Sequence, residues 1–260
     1  MELNHHHAGN GPQLVLIHGI GSRWQVWEPV LPQLERQREV IAVDLPGFGA
    51  SPMPPPGTPA GVESLTRLLA EFLDGLGIDR PNAAGNSLGG WIALELAKQG
   101  RVRSVTALSP AGFATPLEAR FARASFEFTI RVARLLAPRA ERVAARPGLR
   151  TLTGWQFFAR PRQVPPATAA ATMRAFAGAP WFDETLTAAA SDAFTGGEQI
   201  QVPVTIAWAE KDRVLPPRQA RRAAEAITNA RSVAITGCGH VPTYDDPDQV
   251  ARVIVDGSSA

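Results

Sequence analysis

At 260 residues, with 45% hydrophobic and 19% charged side chains, the chain can bury a full-sized core and has the balance of a folded domain, not a disordered one. Its formal net charge of +2 argues against nucleic acid as a partner, and its single cysteine, Cys238, excludes an intramolecular disulfide and a cysteine metal cluster. No run of about 18 apolar residues is present to span a bilayer, and residues 1–10 lack the charged and apolar regions of a signal peptide, so stable membrane insertion is not expected and the expected location is cytoplasmic.

Along the chain, His5, His6 and His7 form a polar edge segment, a better reading than a metal site. Residues 13–17 (QLVLI) make a buried strand that stops at His18-Gly19. Residues 39–44 (EVIAVD) repeat the pattern and stop at the Pro46-Gly47 turn signal. Residues 63–76 place Leu65, Leu68, Leu69, Phe72, Leu73 and Leu76 on one helical face. A strand at 82–84 leads into Gly85, a helix follows at 91–97, and a further strand at 102–108 stops at Ser109-Pro110.

Residues 113–194 break this alternation. They hold Trp155, Trp181 and several phenylalanines, no convincing strand, and more arginines than acids. Phe121, Ser125, Phe128, Val132 and Leu135 share one helical face, and Arg120, Arg123, Glu127, Arg131 and Arg134 another. The segment reads as a helical insertion covering one end of the sheet. Strands at 202–207 and 231–235 then enclose a helix at 219–227, and Asp245, Asp246 and Asp248 open a last helix. Continuous apolar strands alternating with helices predict an α/β fold, with a mostly parallel sheet flanked by helices and right-handed crossovers. The predicted division is a core of residues 1–112 and 195–260 and an inserted helical unit of residues 113–194.

Gly85-Asn86-Ser87-Leu88-Gly89 fits the strand-to-helix turn that exposes a nucleophilic serine at a helix N-terminus. A serine hydroxyl needs a base. His240, in the loop after the last strand, can bring an imidazole over the carboxyl end of the sheet, whereas His18 is better explained by loop packing. Asp212, just after the fifth strand, is the candidate to orient that imidazole, with Glu210 as its near competitor. Asp44 reads as a loop-fixing residue. Two backbone N–H groups, of Leu88 and of Ile20, are the candidate donors to a tetrahedral oxyanion.

These motifs, with Asp44-Leu45-Pro46-Gly47-Phe48-Gly49 and Gly239-His240-Val241-Pro242, resemble those of the α/β-hydrolase family over nearly the whole chain. The resemblance implies an eight-stranded core lacking some N-terminal strands, with 113–194 as a helical cap over the active site. It implies a serine hydrolase cleaving a small-molecule carboxylic ester, with no cofactor or metal, through Ser87, Asp212 and His240. Serine at the elbow argues against the haloalkane dehalogenases and soluble epoxide hydrolases, which carry aspartate there. Gly-Asn-Ser-x-Gly-Gly is also similar to the elbow of carbon–carbon bond hydrolases of ring-fission products, the first alternative. Trp155, Phe157, Phe158 and Trp181 are candidates for the substrate pocket. Non-enzymatic alternatives are a ligand-binding member of the fold and docking of the basic amphipathic helix on a membrane surface.

Overall fold

The computed structural model describes residues 1–259. Seven strands form one sheet in the order β1-β3-β2-β4-β5-β6-β7. They are β1 (His5–Ala8), β2 (Gln13–Ile17), β3 (Glu39–Val43), β4 (Asn82–Asn86), β5 (Ser104–Leu108), β6 (Val204–Ala209) and β7 (Ala230–Ile235). All pairings are parallel except β1 with β3. The strands β4, β5 and β6 are buried along their whole length, as a parallel sheet covered on both faces requires.

The strand period of two separates the two cores. Val15 and Ile17 of β2, with Ile41 and Val43 of β3, pack beneath α2 (Val62–Gly75) and α3 (Leu88–Lys98). Leu14, Leu16, Val40 and Ala42 face the other way, against α1 (Leu31–Leu34) and α10 (Pro247–Gly257). In α10 alone, Val250, Val253 and Ile254 are removed from water, each contributing about 1.5–3 kcal/mol.

One strand exceeds the six predicted. The His-rich segment is β1, an antiparallel edge strand with His5 opposite Val43 and Ala8 opposite Val40. It carries no apolar alternation because its side chains are held by polar and ring contacts: His6 bonds Glu35 and stacks on Trp24, and His7 bonds Glu39. Among the described residues the sheet therefore has seven strands, one fewer than the eight-stranded core from which the resemblance implies some N-terminal strands are missing.

Between β5 and β6 the chain is helical: α4 (Pro116–Leu136), α5 (Ala140–Ala145), α6 (Pro147–Gly154), α7 (Pro166–Gly178) and α8 (Phe182–Ala190). The first of these opens with a capping box, in which Glu118 N–H donates to Thr115 Oγ1 and Thr115 N–H donates to Glu118. Glu118 also receives Arg218 and Arg222, beside and within α9 (Gln219–Ala226), so the start of α4 is tied to the sheet-flanking layer. Burial alone would raise its carboxyl pKa, but the Thr115 N–H and the two guanidinium groups hold it below the usual carboxylate range.

The packed face of α4 is not the one singled out by spacing. Phe126, Ile130 and Ala133 are buried, whereas Phe121, Phe128 and Leu135 face solvent. Within the insertion, Phe126 meets Phe157 and Phe182, and Phe176 meets Phe157 and Phe182.

Candidate active site

The strand-to-helix turn between β4 and α3 places Ser87 at φ 57° and ψ −117°, a conformation costly for a residue with a side chain. The turn is over-determined. Ser87 N–H donates to Leu108 O, and Ser87 O accepts from Trp91 and Ala111 N–H. Glycine is required on both sides of it: a Cβ on Gly85 would lie 2.1 Å from Gly89 O, and one on Gly89 would lie 2.1 Å from Ile17 O. Ser87 is thus fixed at the amino end of α3, where the first turn's N–H groups point outward.

Two further strand ends deliver the other candidate groups. After β6, Asp212 is buried, with Oδ1 accepting from Val214 and Leu215 N–H, both at 2.8 Å. Its Oδ2 lies 2.7 Å from Nδ1 of His240, which follows β7 and is also buried. Two acceptor bonds on one oxygen aim the other at the imidazole, so Nδ1 carries the proton and Nε2 is left as a base. The competitor, Glu210, is used differently: its carboxylate accepts from Gly237 N–H at 2.7 Å. Among the described residues no hydrogen bond joins Ser87 Oγ to His240 directly. Asn86 links the two loops instead, its Nδ2 donating to Leu108 O at 3.1 Å and to His240 O at 2.9 Å.

Asn86 and Asp245 are contributions that sequence reasoning did not find. Asp245 does not open the last helix; Asp246 does, accepting from Gln249 N–H, with Asp248 in the first turn. The buried Asp245 carboxylate instead accepts from Ala159 N–H, Arg160 N–H and Gly239 N–H. It therefore pins the inserted helices to the His240 loop. Only the position of Asn86 beside the serine could have drawn attention to it, and nothing in the spacing distinguishes Asp245 from its acidic neighbours.

His18 is buried beside Ser87's turn, with Nδ1 at 2.7 Å from Gly19 O and Nε2 accepting from Leu45 N–H at 3.0 Å. Burial lowers its pKa, against the opposing pull of Asp44. Asp44 holds its own loop through Asn4 Nδ2, Trp24 N–H and Ala50 N–H. The Cys238 thiol is pushed up to about 12 by burial and by Asp245 and Asp246, which leaves it without thiolate character.

A narrow cleft of about 70 Å³ opens at Ser87. Ile20 and Leu88 border it, and its walls are mostly small or apolar: Ala111, Ala119, Ala122, Phe126 and Leu186, with Arg123 and Asp192 as its charged residues. Among the described residues neither Ile20 nor Leu88 N–H donates a hydrogen bond within the chain, so both are available to a ligand oxygen. None of the four aromatic pocket candidates lines this cleft. Trp155 is 51% exposed beneath Arg213, Trp181 is buried against the Gly47 turn, Phe157 packs among phenylalanines, and Phe158 meets Tyr244 edge-on. A larger cavity, about 260 Å³, lies at the opposite end of the strands near Gln13, Arg80 and Arg103, far from these groups. Ligands of open α/β sheets bind at the carboxyl ends, so the smaller cleft is the one that matters.

The model of the alpha/beta hydrolase family matches residues 14–253. The chain belongs to that family. This hydrolase is 32% identical over 194 residues to an epoxide hydrolase from Mycobacterium tuberculosis, covering 70% of this chain and 87% of that one. A segment of 100 residues is 44% identical to 2-hydroxy-6-oxo-2,4-heptadienoate hydrolase from Pseudomonas putida, covering 37% of this chain. The match spans about a third, 36%, of that relative's length. Among solved structures it is similar to the enol-lactonase from Burkholderia xenovorans LB400, with a TM-score of 0.76 and 24% identity over 99% of this chain and 96% of that one. At that identity the likeness speaks for the fold.

Proposed function

We propose that this hydrolase cleaves small carboxylic esters through an acyl-enzyme, with Ser87 as nucleophile, His240 as general base and Asp212 as the group that orients the imidazole. The supporting observation is that Ser87, strained at φ 57°, borders a mainly apolar cleft at the same sheet edge as the buried Asp212–His240 pair.

In this scheme Ser87 Oγ attacks the ester carbonyl while His240 Nε2 takes its proton. The carbonyl oxygen becomes an oxyanion held by the Ile20 and Leu88 N–H groups, each worth about 3 kcal/mol of transition-state stabilisation. Collapse breaks the bond to the alcohol, which leaves with the proton from His240. Water then enters, gives a proton to His240, attacks the acyl carbon and releases the acid, returning the proton to Ser87. Asp212 holds the Nδ1 proton of His240 and stabilises the imidazolium each time it forms. The helices of residues 113–194 act as the cap: Ala119, Ala122 and Phe126 of α4 and Leu186 of α8 leave room for a short apolar acyl or alcohol group. Small-molecule esters, and neither nucleic acid nor a cofactor, are the partners of this reading.

The test is turnover of p-nitrophenyl acetate, butyrate and octanoate by the natural chain and by Ser87→Ala. Acetate and butyrate should be cleaved and octanoate discriminated against, with turnover falling by about 10³-fold or more in Ser87→Ala. Undiminished turnover in that variant overturns the mechanism.

A second reading, hydrolysis of a carbon–carbon bond in a ring-fission product, draws on the 44% identical segment shared with the heptadienoate hydrolase. Cleavage of such a dienoate, seen as loss of its visible absorbance, with no turnover of the esters, would favour it.

A further inference from the structure

The helix α4 has two apolar faces, and only one is used by the fold. Phe126, Ile130 and Ala133 are buried in the body of the protein. Leu117, Phe121, Phe128 and Leu135 lie 75%, 68%, 67% and 74% exposed. At about 100° per residue these four fall within roughly 40° of one another and run about 27 Å along the helix, on the side opposite the buried face. A continuous row of large apolar side chains in water calls for a partner.

The charges identify it. Residues 113–194 hold 11 arginines against six acids, while the rest of the chain carries 15 Lys and Arg against 18 Asp and Glu. Arg120 and Arg131 border the stripe, Arg120 on the same turn as Phe121 and Arg131 within a turn of Phe128. Arg123 and Arg134 follow farther round the helix, paired with Glu127 and Asp183, and the largely exposed Arg131 also lies 3.7 Å from Glu127, a loose surface contact it can leave. Beside α4, Gln156 accepts from Thr129, and its neighbour Trp155 is half-exposed under the Arg213 guanidinium. Exposed leucine and phenylalanine flanked by arginines that can lift their heads toward phosphates are the features of a helix lying in a bilayer interface. Among the described residues no helix is long and apolar enough to cross a membrane, so α4 would rest in the plane of the surface.

We propose that the outer face of α4 docks this protein on an anionic phospholipid surface. A second copy of the chain is disfavoured as occupant, because stacking two such stripes would bring two arginine-rich segments of like charge together. The docking places the opposite face of α4, which contributes Ala119, Ala122 and Phe126 to the Ser87 cleft, just above the lipid headgroups. An apolar substrate dissolved in the bilayer would then reach the cleft from that side. The docking itself does not depend on the catalytic proposal, and Ser87→Ala should bind vesicles as the natural chain does.

The experiment is vesicle flotation of the full chain with phosphatidylcholine vesicles and with vesicles containing one third phosphatidylglycerol. The chain should float with the anionic vesicles and at least tenfold less with the neutral ones, and added salt should release it. Phe121→Ser combined with Phe128→Ser should cut binding tenfold or more. Arg120→Gln combined with Arg131→Gln should weaken binding to anionic vesicles by roughly fivefold per arginine and leave neutral vesicles unaffected. Both double variants should keep the natural circular dichroism and ester turnover, since these side chains do not reach the cleft. The proposal is overturned if the chain stays with the soluble fraction, or if the phenylalanine variant floats like the natural chain. Sedimentation showing a dimer that this variant dissociates, without flotation, assigns the stripe to a second copy and equally overturns it.

Discussion

Replacing Asp245 by asparagine tests how the inserted helices are held to the loop that carries His240. The carboxylate is buried and accepts three backbone N–H groups: Ala159 and Gly239 at 2.8 Å on Oδ2, and Arg160 at 2.7 Å on Oδ1. Asparagine can keep its one oxygen toward Ala159 and Gly239, but its amide then sets N–H against the Arg160 N–H. One charge-assisted bond is lost, worth about 1.5–3 kcal/mol, and a buried donor is left without an acceptor, at about 1–3 kcal/mol. Allowing for relaxation, Asp245→Asn should cost about 2–4 kcal/mol in urea unfolding and lower Tm by roughly 4–16 °C in a chain of this size. Asp245→Ala, which orphans all three donors, should cost more. Asp248→Asn, at the exposed first turn of α10, should stay within about 0.5 kcal/mol. Because Gly239 directly precedes His240, ester turnover by Asp245→Asn should fall along with stability. An Asp245→Asn protein as stable as the natural chain would refute the reasoning, since it would mean that these contacts add nothing net.

His18 should impose a pH dependence on stability. Its folded-state pKa is lowered by burial, so as pH falls below about 6.5 the unfolded chain takes up the proton first and stability drops by up to about 1.4 kcal/mol per pH unit. Urea midpoints measured from pH 7.5 to 5 should show that slope in the natural chain and a shallower one in His18→Gln; parallel slopes would contradict the assignment. Two glycines should respond in opposite senses to alanine. Gly89→Ala meets the Ile17 and His18 carbonyls and should give insoluble protein, whereas Gly75→Ala, in α2 with open space around it, should raise stability by about 0.5–1 kcal/mol in the same unfolding assay.

The α/β alternation is legible because buried parallel strands such as 204–209 read as unbroken apolar runs, and because glycines and prolines punctuate their ends. Strand β1 is not legible, since an edge strand made of three histidines and an alanine depends on its partner ladder and on contacts with Glu35, Glu39 and Trp24. The periodicity of α4 finds a helix but cannot say which apolar face turns inward; a helix with two such faces defeats that inference. At the site, Ser87, Asp212 and His240 can be placed at strand ends from order alone. The lining of the cleft cannot, because it comes from small residues such as Ala119 and Ala122 that carry no chemical signal. Asp245 and Asn86 escape for a related reason: both act on backbone groups, which sequence does not distinguish.

The central claim is that Ser87 is the nucleophile, and trapping the covalent enzyme tests it most directly. The natural chain would be incubated with a fluorophosphonate, which transfers its phosphonyl group to an activated serine with loss of fluoride. Intact-mass and peptide mass spectrometry should find one adduct per chain, on the peptide containing Ser87, together with complete loss of p-nitrophenyl butyrate turnover; Asp212→Asn and His240→Gln should label far more slowly. An unlabelled but catalytically active chain, or an adduct on any other residue that abolishes activity, would contradict the account.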